Sequence, residues 1–213
     1  MLEQRIQLEK IKNDQLQTEL KFLKSQYHPH FLFNALNTVY FQIDESNKAP
    51  RRTLEMISEL LRYQLYGGNQ KVSILQEIDY LKTYIALRKL RMSERLRLRV
   101  EFPPELNELN IYPLLFLPLV ENAFKYVGGD YQLDIIMKWE NNRISLFIRN
   151  SIPELSAEDE ALRKSVDERQ RKGIGLVNLR RRLSLLYPNK HRLETRKEET
   201  EFVAELMIEI EDI

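Results

Sequence analysis

Cysteine is absent from the sequence. That excludes disulfides, thiolate zinc sites and cysteine nucleophiles, and it fits a reducing compartment. No apolar run approaches the roughly 18 residues of a membrane span, and no signal peptide opens the chain. The chain is therefore expected to be soluble as it stands. It begins inside a helix-like stretch, which reads as a piece of something longer. Neither sign of charge is in excess: 33 Lys and Arg against 32 Asp and Glu leave a net +1. Strong attraction to DNA or to an anionic membrane is not expected from that balance. What is present is ordinary for a folded chain: 213 residues with 43% apolar content, enough for one large domain or two small ones.

Histidine is also scarce, and two of the 3 stand together in Ser25–Asn37, SQYHPHFLFNALN. His28 and His30 flank Pro29, and Phe31, Leu32, Phe33 and Leu36 supply a wide apolar face. Asn34 follows His30 by one helical turn, so the two share a face. Imidazole titrates near pH 6.5 in general, so a histidine is largely neutral and nucleophilic at pH 7 and can carry a phosphoryl group covalently. Two other readings stand beside this one. Metal binding by His28 and His30 lacks partners for a closed zinc site, because only His191 remains elsewhere. A core histidine packed between helices is the bland alternative.

Residues 1–24 are highly charged and contain no Gly or Pro. Ile6, Leu16, Leu20, Leu23 and Tyr27 fit a and d heptad positions, while Glu9 and Asn13 break the seam. A solvated amphipathic helix and a parallel dimeric coiled coil both fit, the second slightly better. The helix is expected to continue to about Asp44, with a kink at Pro29. Ser46 to Pro50 reads as a turn, and Arg51 to Tyr66 as a second helix, with Leu54, Ile57, Leu61 and Leu65 at helical spacing. The apolar faces of such a hairpin exceed what it can bury alone, which predicts pairing of two copies into a four-helix bundle.

Gly67-Gly68-Asn69-Gln70 marks the clearest boundary. Ser73 and Gln76 then form a capping-box pattern ahead of a helix reaching about Arg91. Leu96 to Phe102 alternates as a half-buried strand. Pro113 stands near the start of a strongly apolar helix, Leu114 to Tyr126, ended by Gly128-Gly129. Gln132 to Trp139 and Ile144 to Arg149 form a hairpin about Asn141-Asn142. Pro153 to Lys172 is polar and reads as a loop. Leu176 to Leu186 is a helix, and His191 to Arg196 and Phe202 to Ile210 are strands. The second half is thus expected to be an α+β sandwich, a largely antiparallel mixed sheet with helices on one face.

Two further clusters carry chemistry. Glu121-Asn122-Ala123-Phe124-Lys125 lies on the apolar helix, where polar groups are costly unless they meet partners. Asn122 offers a neutral oxygen suited to Mg²⁺, Lys125 could meet phosphate, and Glu121 could accept a proton. A helix end turning its polar side to water explains the pattern equally well. Lys172-Gly173-Ile174-Gly175 runs into a helix, where backbone amides and the helix N-terminus favour phosphate. A plain loop-to-helix junction would look the same.

Taken together, the motifs resemble those of the LytS-type sensor histidine kinases, over nearly the whole chain. Pro29-His30-Phe31-Leu32-Phe33-Asn34 matches the family's phosphoacceptor box in full and singles out His30 over His28. Leu75-Gln76-Glu77-Ile78-Asp79-Tyr80-Leu81 to Arg91 is similar to its connecting helix. Leu117-Pro118-Leu119-Val120-Glu121-Asn122-Ala123 resembles the N box of the Bergerat ATP-binding fold shared with gyrase, the Hsp90 chaperone and MutL. Gly173-Ile174-Gly175-Leu176 with Asn178, Arg182 and Leu183 resembles its late glycine box.

The resemblance implies a fold class and a division of the chain: a coiled-coil signalling helix at 1–24, a dimerisation and phosphotransfer hairpin at 25–66, a hinge at 67–71 and an ATP-binding domain at 72–213. It implies ATP and Mg²⁺ as cofactors, a homodimer, a response-regulator receiver domain as partner, and a place on the cytoplasmic side as part of a membrane-anchored sensor. His30 would accept the γ-phosphoryl group, Asn122 would hold Mg²⁺ and Lys125 would contact phosphate. Glu121 would act as base or orient His30; separately, the place of Asn34 on the His30 face suggests that it orients water in a reverse, phosphatase reaction. Asn150, Gly173, Gly175, Leu176 and Asn178 would line the nucleotide. Many histidine kinases carry an acid directly after the histidine; here that position is Phe31, which places the proton on Glu121. The adenine box departs from the pattern: Asn150-Ser151-Ile152-Pro153 stands where an Asp and a glycine-containing turn are usual, and Tyr126 stands where the N box often ends in His. Two rivals follow: a catalytically degenerate dimeric scaffold, and an ATPase of the same fold that does not phosphorylate itself.

Overall fold

A computed structural model describes residues 29–66, 70–104, 106, 109–153 and 174–210. The expected coiled-coil helix, His28, the glycine pair at 67–68, the loop over 154–172 and Gly173 lie outside the described residues. The chain divides into two compact units, 1–66 and 67–213.

In the first unit, α1 (Pro29–Gln42) and α2 (Lys48–Tyr66) form a hairpin. The second helix begins three residues earlier than its spacing suggested. Pro50 falls inside its first turn, where no backbone donor is needed. The joint is tied by side chains. Asp44 accepts from Ser46 N at 2.9 Å, and Arg51 donates from Nε and Nη2 to Ile43 O at 3.1 and 2.9 Å. The Arg51 guanidinium also lies over the Tyr40 ring, whose hydroxyl donates to Glu55 Oε1 at 2.9 Å. Within this unit α1 buries no residue and α2 buries only Leu60. Phe31 and Phe41 stand 74% and 78% exposed.

The second unit opens with β1 (Val72–Ser73) and α3 (Ile74–Lys89). The capping box is present: Ser73 Oγ accepts from Leu75 N, and Gln76 Oε1 accepts from Ser73 N. Then come β2 (Arg97–Glu101), β3 (Asn110–Ile111), α4 (Leu117–Tyr126), β4 (Gln132–Glu140), β5 (Arg143–Ser151), α5 (Ile174–Leu186), β6 (His191–Lys197) and β7 (Glu201–Glu209). β1 and β3 form a two-stranded antiparallel ribbon, which the pattern did not foretell. The main sheet runs β2-β4-β5-β7-β6, parallel between β2 and β4 and antiparallel elsewhere.

Strand alternation sorts the two sheet faces. Leu133, Ile135, Ile144, Leu146, Ile148, Leu206 and Ile208 are buried on the side where α4 packs against β4 and β5 and α5 against β6. The opposite face pairs charges, with Arg149–Asp134 and Arg143–Glu209 each at 2.7 Å. Asn141 and Asn142 both take positive φ, 51° and 58°, as a type I′ hairpin turn requires. The expected α+β sandwich, with helices on one face of a largely antiparallel mixed sheet, is the observed fold.

One boundary is corrected. The apolar helix begins at Leu117, not Leu114, because Leu114 has φ of 58° and cannot be helical. Pro118 occupies the helix's first turn, where its missing donor costs nothing.

Candidate functional site

His30 is the second residue of α1 and is exposed. Asn34 Nδ2 donates to His30 Nδ1 at 3.1 Å, and Thr38 Oγ1 donates to Asn34 O at 2.8 Å, which stiffens the turn carrying the amide. A neutral imidazole whose Nδ1 accepts keeps its proton on Nε2. The adjacent side chain, Phe31, offers no base. Among the described residues no group of three or more His, Cys, Asp or Glu side chains is placed to hold a metal ion.

In the second unit α4 buries Leu117, Leu119, Val120, Ala123 and Phe124. Glu121 and Lys125 are exposed and Asn122 is half-buried, so the helix turns its polar side outward instead of burying it. Asn122 and Lys125 stand three residues apart, on one side of the helix. Lys125 Nζ lies 5.0 Å from the Tyr126 ring centroid. Burial by its neighbours pushes the Glu121 carboxyl above its ordinary value, and the Arg88 charge opposes the shift. Arg88 lies on α3 with its guanidinium 5.7 Å from the Phe124 ring centroid. Tyr84, one turn earlier, meets the same ring edge-on. Burial raises the Tyr84 phenol, the Glu121 charge adds to that, and Arg88 counters it.

The end of β5 is fastened to the end of α4. Ser151 Oγ donates to Gly128 O at 2.7 Å and accepts from Gln132 N at 2.9 Å, while Gly128 N donates to Ser151 O at 3.0 Å. A Cβ on Gly128 would come within 2.8 Å of Pro153 Cδ. Gly129, at φ of 60°, would place one 3.0 Å from Ile152 O. The glycines thus sit on the helix side of this contact, and Ile152-Pro153 takes the space they leave. Asn150 is fully buried. Its Nδ2 donates to Ser151 O at 3.2 Å, while Oδ1 has no hydrogen-bond partner among the described residues.

Gly175, Leu176 and Asn178 lie in the first turns of α5, Gly175 and Asn178 exposed and Leu176 half-buried. A Cβ on Gly175 would meet nothing within 4 Å among the described residues, so none of their contacts demands a glycine there. The residues fit the Mg²⁺-nucleotide implied by the resemblance. Asn150 supplies a buried, unsatisfied acceptor of the kind an exocyclic amine needs, and a buried acceptor left without a donor costs stability until it is met. Asn122 and Lys125 supply a neutral oxygen and a cation on one helix side.

Pattern reading missed four residues. Ser151 and Arg88 are described above, with Tyr84 beside Arg88; Glu77 binds across to the segment before α4. Each acts through a partner distant in sequence.

A family model described as histidine kinase matches residues 18–96, which contain the whole phosphoacceptor box. The sensor protein kinase HptS of Staphylococcus aureus strain USA300 is 29% identical over 180 residues, covering 82% of this chain and 35% of its own length. The same protein in strain COL gives the same figures. The chain thus spans about a third of the length of the curated relatives it matches. Among solved structures, the catalytic domain of histidine kinase ThkA is 18% identical with a TM-score of 0.43, over 65% of this chain and 93% of that one. The Acinetobacter baumannii histidine kinase AdeS is 13% identical with a TM-score of 0.44, over 86% and 96%. The complete His30 box lies inside the segment that the histidine kinase model matches, and the chain is similar along most of its own length to a sensor histidine kinase.

Proposed function

We propose that the chain is the catalytic core of a two-component sensor kinase of the LytS type. It transfers the γ-phosphoryl group of ATP to His30 and then to an aspartate of a response-regulator receiver domain. The observation that carries this is the Asn34–His30 contact, which fixes the acceptor ring on an exposed helix face. Bound Mg²⁺-ATP supplies an electrophilic phosphorus with a neutralised leaving group. Asn122 would hold the metal, Lys125 would meet phosphate oxygen, Asn150 Oδ1 would accept from the adenine amine, and Gly175, Leu176 and Asn178 would form the phosphate-side wall.

In the transfer, a bond forms from His30 Nε2 to phosphorus, and the bond from phosphorus to the bridging oxygen breaks, its electron pair leaving with ADP. Attack needs a free lone pair on Nε2, so the reacting tautomer carries its proton on Nδ1, with the Asn34 amide turned to accept it through Oδ1, and that proton is the one lost as the bond to phosphorus forms. Glu121 takes it, since its raised carboxyl is a better base than an ordinary one. The exposed Phe31, Val39 and Phe41 are covered in a homodimer, where two hairpins form a four-helix bundle.

A second reading, a dimeric scaffold that binds nucleotide weakly or not at all, is favoured by Ser151-Ile152-Pro153 in the adenine box. Incubation with Mg²⁺ and γ-labelled ATP separates the two: the kinase yields acid-labile, base-stable label, and the scaffold yields none.

A further inference from the structure

Glu77 is a carboxylate with no exposure, on the first turn of α3. Its Oε2 accepts from Leu114 N at 2.9 Å. Leu114 is held at φ of 58°, a left-handed conformation in which an L side chain crowds its own backbone. Three residues later α4 begins. The strand before this turn is fixed by main-chain bonds. Val72 and Ser73 pair with Ile111 and Asn110, and Ile74 N donates to Leu109 O at 2.8 Å. Tyr112 N donates to the Tyr187 hydroxyl at 3.2 Å. At Leu114 the anchor is a side-chain carboxyl.

An acid in a helix's first turn also suits the helix dipole. That explanation needs only an exposed carboxylate near the N-terminus. It does not account for complete burial or for a bond aimed at one strained amide, and a hydrogen bond to an ionised group is about twice as strong as a neutral one.

We propose that Glu77 is a positioning residue for the nucleotide helix: its carboxylate holds Leu114 left-handed and so sets the direction in which α4 starts. This rests on the reading of α4 as the Mg²⁺-ATP helix. Asn122 lies about 7.5 Å along the axis from Leu117, so a tilt of about 10° at the start moves it by about 1.3 Å. Displacements near 1 Å are enough to cost about a hundredfold in a reaction that depends on placement. The other end of α4 is held by the Ser151–Gly128 bonds, so the helix is fastened at both ends by polar groups.

The test compares the native chain with Glu77→Gln, which keeps an acceptor oxygen, and Glu77→Met, which keeps the volume and loses it. Amide hydrogen exchange is read at residues 114–120, and the Mg²⁺ concentration for half-maximal ATP binding is measured on the same proteins. Glu77→Met is expected to speed exchange across 114–120 and to raise the Mg²⁺ requirement about tenfold, with Glu77→Gln within about twofold of native on both. A folded Glu77→Met with native exchange and native Mg²⁺ dependence would overturn the proposal. So would a Glu77→Gln that loses as much as Glu77→Met, including loss of folding in both, because acceptance would then not be the role. If the native chain binds no Mg²⁺-ATP, the kinase reading falls, and the exchange comparison still decides Glu77.

Discussion

Asn34 Nδ2 stands 3.1 Å from His30 Nδ1, one turn along the same exposed helix face. With Phe31 beside the proposed acceptor, this amide would take over the ring-orienting part of what an adjacent carboxylate does in other histidine kinases. It cannot take the proton.

Removing that amide is expected to change the ring before it changes the fold. Asn34→Leu should shift the His30 ring ¹⁵N signals toward the tautomer mixture of a free histidine and slow labelling of His30, with thermal stability nearly native because the site is exposed. The proposed part of Asn34 in regulator dephosphorylation is read separately. Asn34→Ala leaving that reaction unchanged would remove it.

The Glu121 carboxyl is set by opposing effects, burial raising it and Arg88 lowering it. If Glu121 is the base, as proposed, Arg88→Met should move the acidic limb of the pH–rate profile for His30 labelling to higher pH, as Glu121 stays protonated longer. Stability follows the same sign. A carboxyl raised above 4.5 in the folded chain binds its proton more tightly there. That contribution is complete below 4.5 and is lost as pH rises through the raised value. Glu121→Gln should unfold at higher temperature than the native chain at pH 7, and the advantage should vanish in acid.

Placing an aspartate at Asn150, as the adenine box it resembles usually has, should harm the nucleotide-free domain. Asn150 Nδ2 donates to Ser151 O from a fully buried position. In Asn150→Asp the donor is gone, and a carboxylate faces that carbonyl oxygen. A loss of about 3–5 kcal/mol in urea unfolding at pH 7 is expected, shrinking as the carboxyl protonates. Native stability at pH 7 would mean that the amide orientation is not as described.

Local signals in the sequence were the ones that transferred to the structure. The Ser73–Gln76 capping box, the Asn141-Asn142 turn and the two-residue alternation of β4 and β5 each depend on neighbours a few positions away. The start of α4 was misplaced because Leu114 to Leu117 are all apolar, and periodicity cannot separate a buried turn from a buried helix. Glu77 looked like an ordinary first-turn acid, since its partner amide is 37 positions away. Ser151 looked like part of a box that had departed from its usual pattern. Its hydroxyl instead ties β5 to Gly128, 23 positions back, and only the sheet register brings the two together. The box around His30 was legible because its residues lie within two turns of one helix.

The most direct measurement is incubation with Mg²⁺ and γ-labelled ATP, comparing the native chain with His30→Gln and His28→Gln. The account predicts acid-labile, base-stable label in the native chain and in His28→Gln, and none in His30→Gln. Label that persists in His30→Gln, or no label in a native chain shown to bind Mg²⁺-ATP, would contradict it.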